Sequence, residues 1–331
     1  MIKARVSRRG RRLRVAAGMT ALALMVAGFA LACTACESAS RPAPASSPSQ
    51  LVAYATQNPG DMTPVIAVVG VDGSNPRRLV PGDQPSWSPN GSQLAFMRAT
   101  EDGTGIWVMD ADGTNPTRLT LNPRGLDENP SWSRDGSVIV FSRSTGFAEP
   151  RQIYVVDSDG GDVRRLTSGH ADSFEPAWSP DGTLIAYVRF PMHRPGQPLT
   201  AAEDTSQIWL MSADGAYPRR LTSLRQGAWR PAWSPDGSRL AFDDDDEIYL
   251  VARDGSDLRK LGPRARGFDP AWSPDGTRIA FTGGSDAHHD IYLMDLNGES
   301  STQLTHSPAN DSSPAWGPTP TRATSTSSGL P

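Results

Sequence analysis

The chain has 331 residues, 37% of them hydrophobic and 21% charged, with a net charge of −4, five histidines and two cysteines. An acidic balance of this kind gives no electrostatic footprint for nucleic acid. Both cysteines fall within the first 36 residues, so the remainder holds no disulfide, thiolate nucleophile or thiolate metal centre.

The chain opens with seven cationic residues between Lys3 and Arg14 and no acid, followed by an apolar run over residues 15–32 and then CTAC. A basic start, an apolar stretch and small residues after it describe an export leader. Residues 1–36 are predicted to be a signal peptide or lipoprotein leader, with Cys33 or Cys36 the lipidated residue. Simple cleavage after Ala32 and an uncleaved anchor are the alternatives, the second because 18 apolar residues barely suffice to span a bilayer. Loss of the leader would remove seven positive charges and leave the mature chain near −11. Residues 37–50, rich in Pro, Ser and Ala, have nothing to bury and read as a tether.

From residue 51 a repeat begins. The motif PAWSPDG occurs at Pro176, Pro231 and Pro270, with PSWSPNG at Pro85, PSWSRDG at Pro130 and PAWGP at Pro314. The recurring tryptophans, Trp87, Trp132, Trp178, Trp233, Trp272 and Trp316, are 45, 46, 55, 39 and 44 residues apart. Behind each of the first five come a short apolar run such as LAFM or LIAYV, a variable loop, a second run such as IWVMD or IYLMD, a DG or NG turn and a leucine. Runs of four to six β-branched and aromatic residues between Gly, Pro and Asp clusters are strands. Four short strands per repeat of this length predict a β-propeller blade. Asp181, Asp236 and Asp275 therefore read as turn residues, proline presetting φ before them and glycine taking the positive φ after them. The tryptophans read as packing between neighbouring blades.

The N-terminal copy, residues 51–80, lacks a Trp strand, and Trp316 has no blade after it. Joining them completes a sixth blade and closes the ring, which removes exposed sheet edges. The predicted fold is thus all-β, a six-bladed propeller of four-stranded antiparallel blades over residues 51–318, with a core-less tail at 319–331.

PAWSPDG, IAF, IYLMD, DG and RRLT resemble the repeats of the TolB-type six-bladed propellers, relatives of the WD-type repeats. The resemblance covers residues 51–318 and implies the fold. TolB proper carries an α/β domain before its propeller, and here a tether of about 15 residues stands in that place, so a role in the Tol envelope system is not implied.

Strand order puts the S-P-D-G and DG turns on one rim and the variable loops and blade connections on the other, where function is expected. The residues before each Pro-x-Trp should ring the channel mouth there. The predicted partner-binding residues are Glu128, Phe174, Glu175, Trp229, Arg230, Phe268 and Asp269, aromatics flanked by charges; the competing reading packs the aromatics beneath the loops. The acidic run at residues 243–247 reads as a solvated hairpin tip or a cation site, and residues 190–207 as a lid, a docking loop or an excursion.

No nucleophile elbow, HExxH, P-loop or GxGxxG occurs. His170, His289 and His306 are weak metal candidates on the variable rim. The sequence predicts an exported, lipid-anchored, non-catalytic and monomeric binding module without cofactor. Its expected partner is an envelope protein or a cell-wall component. The alternatives are a polysaccharide- or cell-wall-binding propeller and a metal-dependent carbohydrate lyase.

Overall fold

The computed structural model describes residues 50–146, 149–191, 205–244, 246–285 and 288–319, among which twenty-four strands and no helix occur. β1 (Leu51–Gln57), β2 (Val65–Gly70) and β3 (Arg77–Pro81) come first. The second blade is β4 (Asp83–Trp87), β5 (Gln93–Thr100), β6 (Gly103–Asp110) and β7 (Thr117–Arg118). The third is β8 (Asp127–Trp132), β9 (Val138–Arg143), β10 (Gln152–Asp157) and β11 (Val163–Arg165). The fourth comprises β12 (Asp172–Trp178), β13 (Leu184–Phe190), β14 (Gln207–Ser212) and β15 (Arg219–Arg220). The fifth has β16 (Trp229–Trp233), β17 (Arg239–Asp243), β18 (Ile248–Ala252) and β19 (Arg259–Lys260). The sixth set is β20 (Phe268–Trp272), β21 (Arg278–Ser285), β22 (His288–Asp295) and β23 (Ser301–Gln303). Finally β24 (Asn310–Trp316) pairs with β1, so the sheet order β24-β1-β2-β3 closes the ring from both ends of the propeller. All pairings are antiparallel, as the repeat predicts.

The second strand of each blade is its densest part. Leu94, Ala95 and Phe96, like Ile139, Val140 and Phe141, are fully buried, because both faces of a middle strand meet a neighbouring blade. Core clusters accordingly straddle blades, with Phe174 and Ile208 of the fourth packed with Trp233 and Phe242 of the fifth.

The repeated tryptophans do more than fill space. Trp87, Trp132, Trp233 and Trp272 donate their indole N–H to the backbone carbonyls of Ala315, Ser86, Ala177 and Ala232, each on the innermost strand of the preceding blade, at 3.1–3.2 Å. One residue type thus supplies both apolar surface and a fixed hydrogen bond between blades. In the turn after it, the Ser133 hydroxyl donates to Asp135 at 2.6 Å and accepts the Val138 N–H at 3.0 Å, while Asp135 accepts the Ser137 N–H. These bonds, that of Ser133 foremost, hold the Asp135 carboxyl at about 2. Gly237 sits at φ +70°, and a Cβ there would lie 3.3 Å from the Pro180 ring of the preceding turn. Only glycine satisfies both demands. The heptapeptide is punctuation, in agreement with the sequence.

Candidate functional site

The innermost strands carry the irregularity that builds the site. In each of the five blades after the first, the pairing register slips just before the proline of Pro-x-Trp, between Asp83 and Ser86, Glu128 and Ser131, Phe174 and Ala177, Trp229 and Ala232, and Phe268 and Ala271. The closing blade slips at the matching place on β1, between Ala53 and Ala55. Proline has no N–H for the ladder, so a bulge is the natural outcome, and a bulge turns one side chain out of the pleat. The residue before each proline takes a left-handed conformation, with φ 51–54° at Gln84, Asn129, Glu175, Arg230, Asp269 and Ser313. None is glycine, so each costs on the order of 1–2 kcal/mol. These six and the prolines after them line a central cavity of ≈ 180 Å³ in the variable-rim half of the channel.

A belt of hydrogen bonds explains why that position is polar in every blade. Asn129 donates its N–H to the Gln84 side chain at 2.8 Å, Arg230 to Glu175 at 2.7 Å, and Ser313 to Asp269 at 3.3 Å. Glu175 donates to the Ser142 hydroxyl at 3.1 Å, which donates to the Asn129 amide oxygen at 3.2 Å. Asp269 donates to Asp243 at 3.2 Å. Five of the six bulge N–H groups are therefore received by a side chain of the preceding blade, while that of Gln84 is received by its own neighbour Asp83.

Arg230 is the electrostatic centre. Its Nε and Nη2 grip the fully buried Asp243 at 2.9 and 2.6 Å, and Nε lies 3.4 Å from Asp269. Burial alone would lower the guanidinium's pKa, but Asp243 outweighs it and the shift is upward. Burial pushes Glu175 up to about 7, the nearby Arg230 charge only partly opposing it, and raises Asp269 in the same way. Glu175 and Asp269 face one arginine already committed to Asp243, which makes this a polar, acid-leaning cavity suited to receive a donor or cationic group.

Glu175, Arg230 and Asp269 are thus brought together, with Gln84, Asn129 and Ser313 completing their ring. Glu128 stands beside it, 4.0 Å from Arg151 and raised by burial. The aromatics are packed rather than gathered in one exposed patch. Phe174 is buried beneath the Arg151 guanidinium, 3.7 Å above its ring, and that arginine is held by Asp172. Trp229 packs half-buried on the fourth–fifth blade cluster. Phe268 lies under Arg230 at 5.0 Å with the His289 ring against its edge at 5.3 Å. Exposed apolar side chains on this rim are Met62, Leu121 and Leu126.

The acidic run departs from the solvated tip expected. Asp243 is fully buried because its register opposite Trp229 turns it inward to Arg230. Asp246 pairs with Arg266 at 2.8 Å and Glu247 with Lys260. Asp245 and most of residues 190–207 lie outside the described residues, as do Cys33 and Cys36. His170 and His306 are exposed in blade connections. Among the described residues, no three His, Cys, Asp or Glu side chains gather in a geometry that would hold a metal ion.

Residues 82–197 match the family model of the TolB beta propeller domain. A protein TolB homolog of Chlorobium luteolum is 33% identical over 124 residues, covering 36% of this chain and 25% of that protein. An uncharacterized protein of Agrobacterium fabrum, Atu1656, is 30% identical over 53% of this chain and 59% of its own length. The crystal structure of TolB from Acinetobacter baumannii superposes with a TM-score of 0.69 at 20% identity, over 81% of this chain and 67% of that one. The chain spans about a quarter to three-fifths of the length of these two sequence relatives.

Proposed function

We propose that this chain, a propeller of TolB-type repeats, is a non-catalytic binding module that holds a protein partner at the variable-rim mouth of its channel. The observation that carries the reading is the ring of six left-handed, polar residues around one cavity. The bulges account for the conformation, and what supports binding is that they turn a strained polar residue of every blade toward one void. Its acid-leaning lining favours a partner that inserts a lysine, arginine or amide donor. The exposed Met62, Leu121 and Leu126 on the same rim supply apolar contact. The basic and apolar leader supports export to the cell envelope, with Cys33 or Cys36 as the lipid attachment.

The test is crosslinked capture from envelope extract with the whole chain as bait, beside a Glu175→Gln chain. Glutamine keeps an oxygen for the Arg230 N–H and removes the charge. A protein captured by the parent and lost from the variant, with melting no lower, supports the site. Equal capture by both baits overturns it, and capture of glycan alone replaces the protein partner with a cell-wall polymer.

A further inference from the structure

We propose that β24, the strand that closes the ring, is a latch loosened by deprotonation of Asp311. Among the described residues three aspartates are fully buried, Asp127, Asp243 and Asp311. Asp127 is gripped by Arg143 Nε and Nη2 at 2.7 and 2.6 Å, and Asp243 by Arg230 in the same bidentate manner. Asp311 occupies the repeat position of Asp127, three residues before the proline of Pro-x-Trp. The residue in register with Asp127 is Arg143, whereas the one in register with Asp311 is Thr56. The closing blade therefore buries the same carboxylate without its guanidinium.

The groups around Asp311 do not replace it. From β1 it meets Thr56 and the Tyr54 phenol, and from the preceding connection Thr305 and Ser307, the latter's hydroxyl at 3.4 Å, with the exposed His306 between them. From β22 the neighbouring charge is Asp290, which itself takes Gln303 at 2.9 Å and stands 3.2 Å from His288. Asp269 and Asp83 are the acids on β20 and β4, and the Arg78 of β3 lies 4.0 Å from Asp61. The Thr305 hydroxyl accepts the Ile291 N–H at 2.9 Å, and its single proton is shared between Asp290, at 3.3 Å, and Asp311. Asp311 Oδ1 is left buried with no hydrogen-bond partner. A carboxylate so placed favours its neutral form: burial raises its pKa and outweighs the Thr56, Thr305 and Ser307 hydroxyls, which lower it, and the Asp290 charge adds to the rise.

The same strand carries a second loose end. Trp316 Nε1, like Trp178 Nε1 in the fourth blade, is also buried without a partner, whereas the other four repeated tryptophans bond to the preceding blade. The Gln84 N–H, on the blade after β24, turns back to its own neighbour Asp83 at 2.7 Å. Release of β24 would uncover the edge of β1 and withdraw Ser313 and Pro314 from the channel lining.

A group with a raised native pKa stabilises fully below its unfolded value, near 3.8, and loses that contribution as pH rises through the native one. The experiment is hydrogen exchange with mass spectrometry on the whole chain across pH, corrected for intrinsic rates, following peptides of β24 and β1 against β13. Protection of β24 is expected to fall with pH relative to β13, by up to tenfold per pH unit within that window. Asp311→Asn, which mimics the neutral acid, is expected to abolish the difference, and so is Thr56→Arg, which supplies the missing guanidinium. Parallel loss of protection in β24 and β13, an unaltered pH slope in both variants, or an Asp311→Asn chain that does not fold would overturn the latch.

Discussion

Replacing Arg230 by leucine is the sharpest probe of the channel's electrostatics. The parent pair places two charge-assisted hydrogen bonds, at 2.9 and 2.6 Å, on a carboxylate with no solvent exposure. Leucine removes both of those bonds and leaves the Asp269 N–H, at 3.2 Å, donating to Asp243. Removing one partner of a buried pair costs about 3–5 kcal/mol, chiefly through the charge left behind. The Arg230 side chain keeps 24% of its exposure, so water can reach the vacated space and the lower end, about 3 kcal/mol, is expected. For a domain of this size that is a fall in Tm of roughly 6–12 °C by calorimetry. Asp243→Asn in the same chain should restore most of the loss, because it removes the buried charge rather than the contact. An Arg230→Leu chain melting within about 2 °C of the parent, or a double variant no better than the single, would refute the assignment.

Two further outcomes follow from the same geometry. Trp233→Phe should cost about 1 kcal/mol more than Trp178→Phe in denaturant titrations, since Trp233 Nε1 holds the Ala177 carbonyl while Trp178 Nε1 is buried without a partner. Glu175, held up at about 7 by burial, stabilises the native state below its unfolded value near 4.5 and loses that contribution as pH rises to about 7. Glu175→Gln should therefore melt close to the parent near pH 4 and several degrees above it near pH 8, and equal melting at both values would contradict the burial of that carboxylate.

The blade number, the closure of residues 51–80 by Trp316 and the role of the S-P-D-G turns were legible because each rests on local chemistry repeated in series: an apolar run, a turn residue, one tryptophan. Part of the site was legible too. Q, N, E, R, D and S before the prolines form a column polar in every copy of an otherwise apolar repeat, and position alone put Glu175, Arg230 and Asp269 at the channel. The pairing of Arg230 with Asp243, thirteen residues away, depends on the bulge that aligns Trp229 with Asp243, and a slip of register leaves no mark in composition. For the same reason the DDDDE run concealed one inward carboxylate among outward ones. Phe174 and Phe268 appear as exposed aromatics in sequence because the arginines that cover them, Arg151 and Arg230, come from other positions in the chain or from a neighbouring blade.

Ring closure through β24 also sets a timetable for synthesis. The Trp87 indole waits for the Ala315 carbonyl, 228 residues later, and β1 waits for a strand that starts at Asn310. At about 5–20 residues per second on the ribosome, that interval lasts on the order of 10–50 s. During it the β1 edge, LVAYA at its start, is an apolar template with unsatisfied backbone groups. Contacts of such sequence separation fold slowly. A ribosome that stops before Asn310 therefore releases five closed sheets and one open edge, a species prone to aggregate although nearly all of its core is already made.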